Sequence, residues 1–328
     1  MSTGVFCFNK LDINLKPSNI VIPNYRMTQP IYICGPTASG KSSLAISIAQ
    51  QLDGEVINGD AYQVYRGIET LSAAPSKEEH AQAPHHLFSM LDTSEEFDAQ
   101  RYRELALPVI ADVQSRGKTP ILVGGSGMYL KFLTHGPSPV PASAPSLRSQ
   151  LELRDDASLI GELTQFDPEG AAATNLQNRR YVIRALEICL LSGQKMSEIK
   201  NDWKNTSTEI DKNLRGALIQ WEAEPLRKRI AVRTKQMLDL GAIEEVRGAT
   251  NFSVTCEKAI GVPQIRAYLA DEIDRATCEE KIFFATCQYA KRQRTWFNKE
   301  SWLTPVHYNN STSTPEITDA LSKIWRSP

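Results

Sequence analysis

Several absences narrow the reading of this 328-residue chain before any motif is considered. Its six cysteines, Cys7, Cys34, Cys189, Cys256, Cys278 and Cys287, form no C-x-x-C pair, which argues against a zinc site or a disulfide scaffold and for a reducing, cytoplasmic setting. No run approaches the roughly 18 apolar residues of a membrane span, so no membrane partner is expected. Net charge is nearly absent, with 37 Lys plus Arg against 38 Asp plus Glu, so no global field draws the chain to nucleic acid and any such partner must be met by a local patch. Internal repeats and low-complexity tracts are missing too. The clearest late strand, Ile121-Leu122-Val123, lacks the terminal aspartate that phosphate-loop hydrolases use to help hold magnesium, and ends in Gly124-Gly125-Ser126.

The sharpest feature present is the run Gly35, Pro36, Thr37, Ala38, Ser39, Gly40, Lys41, Ser42, a full match to G-x-x-x-x-G-K-[ST]. It follows an apolar run, Ile31 to Cys34, and precedes Leu44, Ala45, Ile48, Ala49 and Leu52 at helical spacing. Backbone N–H groups and a helix N-terminus then face an anion, Lys41 supplies a point charge, and Ser42 offers a hydroxyl to Mg²⁺. A lysine aimed at a helix N-terminus is electrostatically unfavourable unless that anion arrives.

A strand over Glu55–Asn58 ending in Gly59 and Asp60, a helix over about 99–116 and the strand from Ile121 continue a βαβαβ rhythm. The expected fold is α/β: a doubly wound, P-loop NTPase-like parallel sheet whose ligands lie at the carboxyl ends of the strands. Four prolines among residues 137–146 mark a stiff hinge into an inserted small helical domain. The expected organisation is an N-terminal extension over 1–26, without fixed structure or alternatively an ordered arm, a first core part over 27–136, the insert over 137–200, and a second core part over 201–328 with C-terminal helices about 225–239 and 280–297. Asp60 suits a general base for a nucleophile that must lose a proton, or alternatively a plain cap. Cations cluster at Arg179, Arg180 and Arg184, at Arg227 to Lys235, and at Lys291, Arg292 and Arg294; the last set interleaves with Tyr289, Trp296 and Phe297 in a mixture that suits single-stranded RNA. Each cluster has the plainer reading of a solvated helix face.

The phosphate loop, N-G-D-A-Y-Q-V-Y at 58–65, A-P-H-H-L at 83–87, V-G-G-S-G-M-Y at 123–129, R-A-L-E at 184–187, K-A-I-G at 258–261 and Q-Y-A-K-R-Q-R-T-W-F at 288–297 together resemble the bacterial tRNA dimethylallyltransferases. The resemblance runs over roughly residues 31–298. It implies transfer of a dimethylallyl group from dimethylallyl diphosphate to the exocyclic amine of the adenine just 3′ of the anticodon, in tRNAs reading codons that begin with U. By the same resemblance Asp60 is the general base, Lys41, Thr37 and Arg233 neutralise the diphosphate with Mg²⁺ on Ser42, and Ser126, where the family usually has Thr, is a further catalytic residue that contacts the RNA. The tRNA anticodon stem-loop would meet Asp60, Ala61, Tyr62, Gln63, Ser126, Arg148, Arg180, Tyr181, Val182, Ile183, Arg184, Lys258, Ala259, Ile260, Gly261, Val262 and Pro263, and the enzyme would work as a monomer. Departures from the family pattern fall at Asn178 to Tyr181, Val262-Pro263, Cys287 and Asn298. Two rivals share the loop: an adenylate prenyltransferase acting on a free nucleotide, and a small-molecule kinase using ATP. The insert and the cationic, aromatic terminus favour a large RNA acceptor.

Overall fold

Four consecutive apolar residues with no polar alternation belong in the middle of a parallel sheet, and Ile31–Cys34 forms the fully buried strand β1 there. The computed structural model describes residues 29–137, 139–309 and 314–326; the extension expected over 1–26 lies outside them. The chain continues through α1 (Lys41–Leu52), β2 (Gly54–Asn58), α2 (Glu69–Ser72), α3 (Lys77–Gln82), β3 (His85–His86), α4 (Ala99–Ser115), β4 (Thr119–Gly124) and α5 (Gly127–His135). Next come α6 (Pro145–Glu152), α7 (Asp156–Phe166), α8 (Pro168–Ala172), α9 (Arg179–Ser192) and α10 (Met196–Asp211). The second half holds β5 (Arg215–Trp221), α11 (Ala223–Asp239), α12 (Ala242–Gly248), α13 (Val262–Leu269), α14 (Arg275–Phe297), β6 (Leu303–Tyr308) and α15 (Thr314–Arg326).

The six strands are hydrogen-bonded in the order β3-β2-β4-β1-β5-β6, every pair parallel. Strand alternation sends Tyr32, Ile57, Leu122 and Leu218 to one face, where they pack with residues of α4, α5, α13 and α14. Ile33, Val56, Val123 and Ile219 go to the other face and pack with residues of α1 and α15. Helices on both faces make the sheet doubly wound, the architecture expected from the βαβαβ rhythm.

A third, separate core joins Leu151, Leu159, Leu163, Val182, Leu186 and Ile199, with Val140 and Leu147 packed against it. This helical unit occupies the interval between α5 and β5. Residue 200, the expected end of the insert, falls inside α10, which runs on to Asp211: its first turn (Met196, Ile199) is anchored in the core and the remainder is mostly polar, with only Trp203 and Ile210 as apolar cues. The proline-rich entry is held by Glu187, fully buried in α9, which accepts hydrogen bonds from Ser143 Oγ at 2.7 Å, Ala144 N at 2.8 Å and Arg184 Nη1 at 2.7 Å.

Candidate active site

β1 and β4 are neighbours, so the loops after them open at one sheet edge, beside the end of β2. Gly35 begins the phosphate loop with φ of 151°, and a Cβ there would lie 2.9 Å from the Ile219 carbonyl oxygen, so only glycine lets the loop leave β1 this close to β5. At the end of β4 a Cβ on Gly124 would sit 2.1 Å from the Gly59 carbonyl oxygen. That backbone contact brings the residues after the two strands together: Ser126 Oγ accepts the Ala61 N–H at 2.9 Å, and Asp60 lines one cleft with the phosphate loop. Asn58 fixes the turn by accepting the Asp60 N–H at 2.8 Å, and Asp60 Oδ1 accepts the Tyr62 N–H at 3.0 Å. Asp60 therefore does cap its turn, and it also lines the cleft.

The phosphate loop borders a cleft of about 740 Å³ lined by Thr37 to Ser43, Asp60, Gln63, Lys228, Arg229 and Arg233. Cations outnumber acids around it, which suits an anionic guest. Lys41 Nζ donates to the Pro36 carbonyl at 2.7 Å. Burial pushes its ammonium down to about 8, opposed by the nearby Asp60 carboxylate and reinforced by Arg233. Burial also lowers the Arg233 pKa, against the pull of Asp60, and Arg233 Nη1 donates to Thr37 Oγ1 at 3.2 Å. For both cations burial outweighs the pull of Asp60, an environment that suits an anionic guest.

The residues also fit magnesium brought in with an oligophosphate. No cluster of three or more His, Cys, Asp or Glu able to hold a metal occurs among the described residues. Magnesium needs no such cage, since it takes one or two protein oxygens plus phosphate oxygens and water. Ser42 presents its hydroxyl in the cleft, and the buried Ser39 hydroxyl beside it has no hydrogen-bond partner among the described residues.

A second, largely apolar cavity opens off the cleft. Thr37, Asp60, Ser72 and Arg233 line both, while Leu71, Ile230, Met237, Ile260, Ile282 and Tyr289 line only the second. Burial raises the Tyr289 pKa, as does Asp60, so its phenol stays protonated.

Two residues that brace the phosphate loop are not singled out by the sequence, although Gln293 lies within the 288–297 motif. Gln293, 4% exposed, accepts the Thr37 N–H at 2.8 Å and donates to the Gly125 carbonyl at 2.9 Å, bridging the loops after β1 and β4. Trp221 donates its indole N–H to the Ser39 carbonyl at 2.9 Å. Partners 256 and 182 residues apart leave no spacing to read.

The segments assigned to RNA by resemblance fall in different places. Ala61, Tyr62 and Gln63 follow Asp60 at the cleft, where Tyr62 Oη donates to the Lys258 carbonyl at 3.3 Å and Gln63 Nε2 to the Ala73 carbonyl at 2.6 Å. Ala259 and Ile260 help wall the apolar cavity, Gly261 packs on Leu71, Val262 is buried and Pro263 is exposed. In the helical unit Arg148 pairs with Glu152 at 3.3 Å, and Arg180 and Tyr181 are exposed. Val182 and Ile183 are buried in the helical core, and Arg184 is spent on Glu187 and on the Pro141 carbonyl at 2.6 Å. Arg180 and Arg184 thus do different jobs despite their four-residue spacing. In the last basic cluster, Arg292 lies over Tyr289 at 5.7 Å and Trp296 is 40% exposed.

Fold and site define a phosphate-loop protein whose cationic cleft adjoins an acid and an apolar cavity. A family model for IPP transferases matches residues 63–300, and the chain belongs to that family. It is similar to a tRNA dimethylallyltransferase of Akkermansia muciniphila, 38% identical over 291 residues covering 89% of this chain and 97% of the relative. One from Geobacter sulfurreducens is 39% identical over 305 residues, covering 90% and 96%. Among solved structures, a tRNA isopentenylpyrophosphate transferase from Bacillus halodurans superposes with a TM-score of 0.64 at 31% identity, covering 92% of this chain and 97% of that one. A eukaryotic dimethylallyltransferase captured acting on tRNA gives 0.71 at 28% identity, covering 92% and 80%.

Proposed function

We propose that this chain transfers a dimethylallyl group from dimethylallyl diphosphate to the exocyclic amine of the adenine 3′ to the anticodon of tRNA. The observation that carries the reading is the shared wall of the two cavities. Thr37, Asp60 and Arg233 line both the cationic cleft and the apolar cavity, so a diphosphate and a short prenyl tail have adjoining places with an acid at their junction. The C–O bond to diphosphate breaks as the adenine nitrogen bonds to the allylic carbon, and Asp60 takes the amine proton. Negative charge develops on the leaving group, where Lys41, Arg233 and the phosphate-loop amides stabilise it without reorganising. Ser42 is the residue that would hold magnesium, whose contribution is further neutralisation of the diphosphate. An adenine stacked in a loop must be extruded to reach Asp60, and Arg180 and Tyr181 on the helical unit offer an exposed cation and ring toward the rest of the RNA.

The test is label transfer. The purified chain is incubated with magnesium and labelled dimethylallyl diphosphate, with unmodified tRNA in one tube and AMP in another, while a third holds ATP and no prenyl donor. Label on tRNA alone is expected. Label on AMP, or ATP consumption, would overturn the acceptor or the donor respectively.

A further inference from the structure

Trp221 ends β5 outside the phosphate cleft, yet its indole is wired to the loop. It is 8% exposed and donates to the Ser39 carbonyl at 2.9 Å, while Tyr308 at the end of β6 stacks on it at 5.8 Å with the planes 26° apart. Arg229 lies over the same indole at 4.8 Å and donates its Nε–H to the Ala38 carbonyl at 2.8 Å. In a trans peptide the C=O and the following N–H point in opposite directions, and no cis peptide occurs among the described residues. Drawing the Ser39 carbonyl toward Trp221 therefore turns the Gly40 N–H away from it, and drawing the Ala38 carbonyl to Arg229 likewise sets the Ser39 N–H. Neither amide has a backbone partner among the described residues, whereas the Thr37 N–H is already spent on Gln293.

We propose that Trp221 is a positioning residue for the diphosphate: its indole N–H, and the Arg229 guanidinium its ring supports, hold the phosphate-loop peptides with the Ser39 and Gly40 amides aimed at the anion. The phosphate-loop motif contains nothing from β5, so the motif alone does not supply this brace. It rests on the reading that the loop holds the donor's diphosphate. Without the brace, the Ser39–Gly40 peptide is less constrained and must be ordered further at each binding event.

Two variants of the full chain test this. Trp221→Phe keeps the ring under Arg229 and against Tyr308 while removing the donor; Arg229→Lys keeps the charge while removing the Nε–H. Calorimetry with inorganic diphosphate and magnesium is expected to show a dissociation constant raised about tenfold in Trp221→Phe. Affinity for an anticodon stem-loop RNA stays within about twofold, because the RNA does not rest on these amides. In the transfer assay KM for the prenyl diphosphate rises by the same factor, with kcat at saturation little changed, a split that simple loss of stability does not produce. Wild-type diphosphate affinity in Trp221→Phe would overturn the inference, as would a fall in kcat alone. If Trp221→Phe fails to fold, Arg229→Lys decides, with unchanged diphosphate affinity counting against. Should the wild-type chain move no prenyl group while Trp221→Phe still weakens diphosphate binding, the function above is wrong and the brace stands.

Discussion

Burial makes the charge on Lys41 costly. Burial holds its ammonium near 8 in the ligand-free fold, below the ordinary lysine value, so the group destabilises the folded state fully at lower pH. As pH rises from about 8 toward the unfolded value, that penalty is relieved and the ligand-free protein gains stability from this group. Diphosphate binding runs the opposite way, because the anion needs the charged form and raises its pKa. Affinity is therefore expected to be level below about 8 and to fall above it, with binding just above that pH taking up a proton. Calorimetry in two buffers of different ionisation enthalpy measures the uptake. Lys41→Arg stays charged and removes it; undiminished uptake in that variant would assign the proton elsewhere. Asp60 lends itself to a cleaner substitution. Asp60→Asn retains an oxygen for the Tyr62 N–H and so keeps the turn, but cannot take a proton from the amine. Single-turnover transfer should fall by about 10²- to 10⁴-fold with stem-loop affinity unchanged, and the reverse pattern would move Asp60 from chemistry to binding.

At the scale of elements, legibility followed locality. β1, α1, β2, α4 and β4 each announce themselves by apolar spacing and by the Gly or Pro that bounds them, and the phosphate loop and Asp60 sit at their ends. β3 has only two residues, and β6 carries polar Thr304 and His307 on an outer strand, so neither shows an apolar pattern. The apolar cavity was equally silent, since Leu71, Met237 and Ile282 come from three distant helices and look like ordinary core. Spacing told only part of the story: Arg180 and Arg184 are four apart, but Arg184 is also tied to a buried carboxylate that sequence does not reveal. Burial alone would push the Glu187 pKa up, yet its bonds from Ser143, Arg184 and the Ala144 N–H outweigh that and hold it lower than usual. Glu187→Ala strands these donors at the joint between the proline-rich entry and α9. The expected cost is on the order of 2–3 kcal/mol to the helical unit. Hydrogen exchange reads it as faster exchange of α9 amides with those of β1 and β4 unaffected; equal acceleration in the sheet would mean that the unit has no separate stability.

The whole molecule places a separately cored helical unit between two halves of one sheet, and its entry and exit meet. His135, at the end of α5, contacts Asp211, at the end of α10, at 3.0 Å, with Trp203 ring-to-ring on the histidine at 6.2 Å. Lys131 one turn earlier joins Glu300 at 2.9 Å, tying the same joint to the segment before β6. Burial and Lys131 push the His135 pKa down against the pull of Asp211 and Glu300, so the joint persists as a neutral imidazole hydrogen-bonded to a carboxylate. Because the two ends already touch, residues 138–209 should be replaceable by a short glycine-serine linker without opening the sheet. The excised protein keeps the cleft and the apolar cavity, whose lining lies outside the removed segment. It is expected to fold and to bind inorganic diphosphate like the full chain. Stem-loop affinity should drop by on the order of 10²-fold as the second RNA-facing surface is lost, and the dependence of what remains on salt should flatten with it. Full RNA affinity after excision would place the entire RNA surface on the sheet-bearing core and leave the helical unit without a part in recognition. Lost diphosphate binding in a folded product would instead mean that the insert braces the phosphate cleft through the His135 joint.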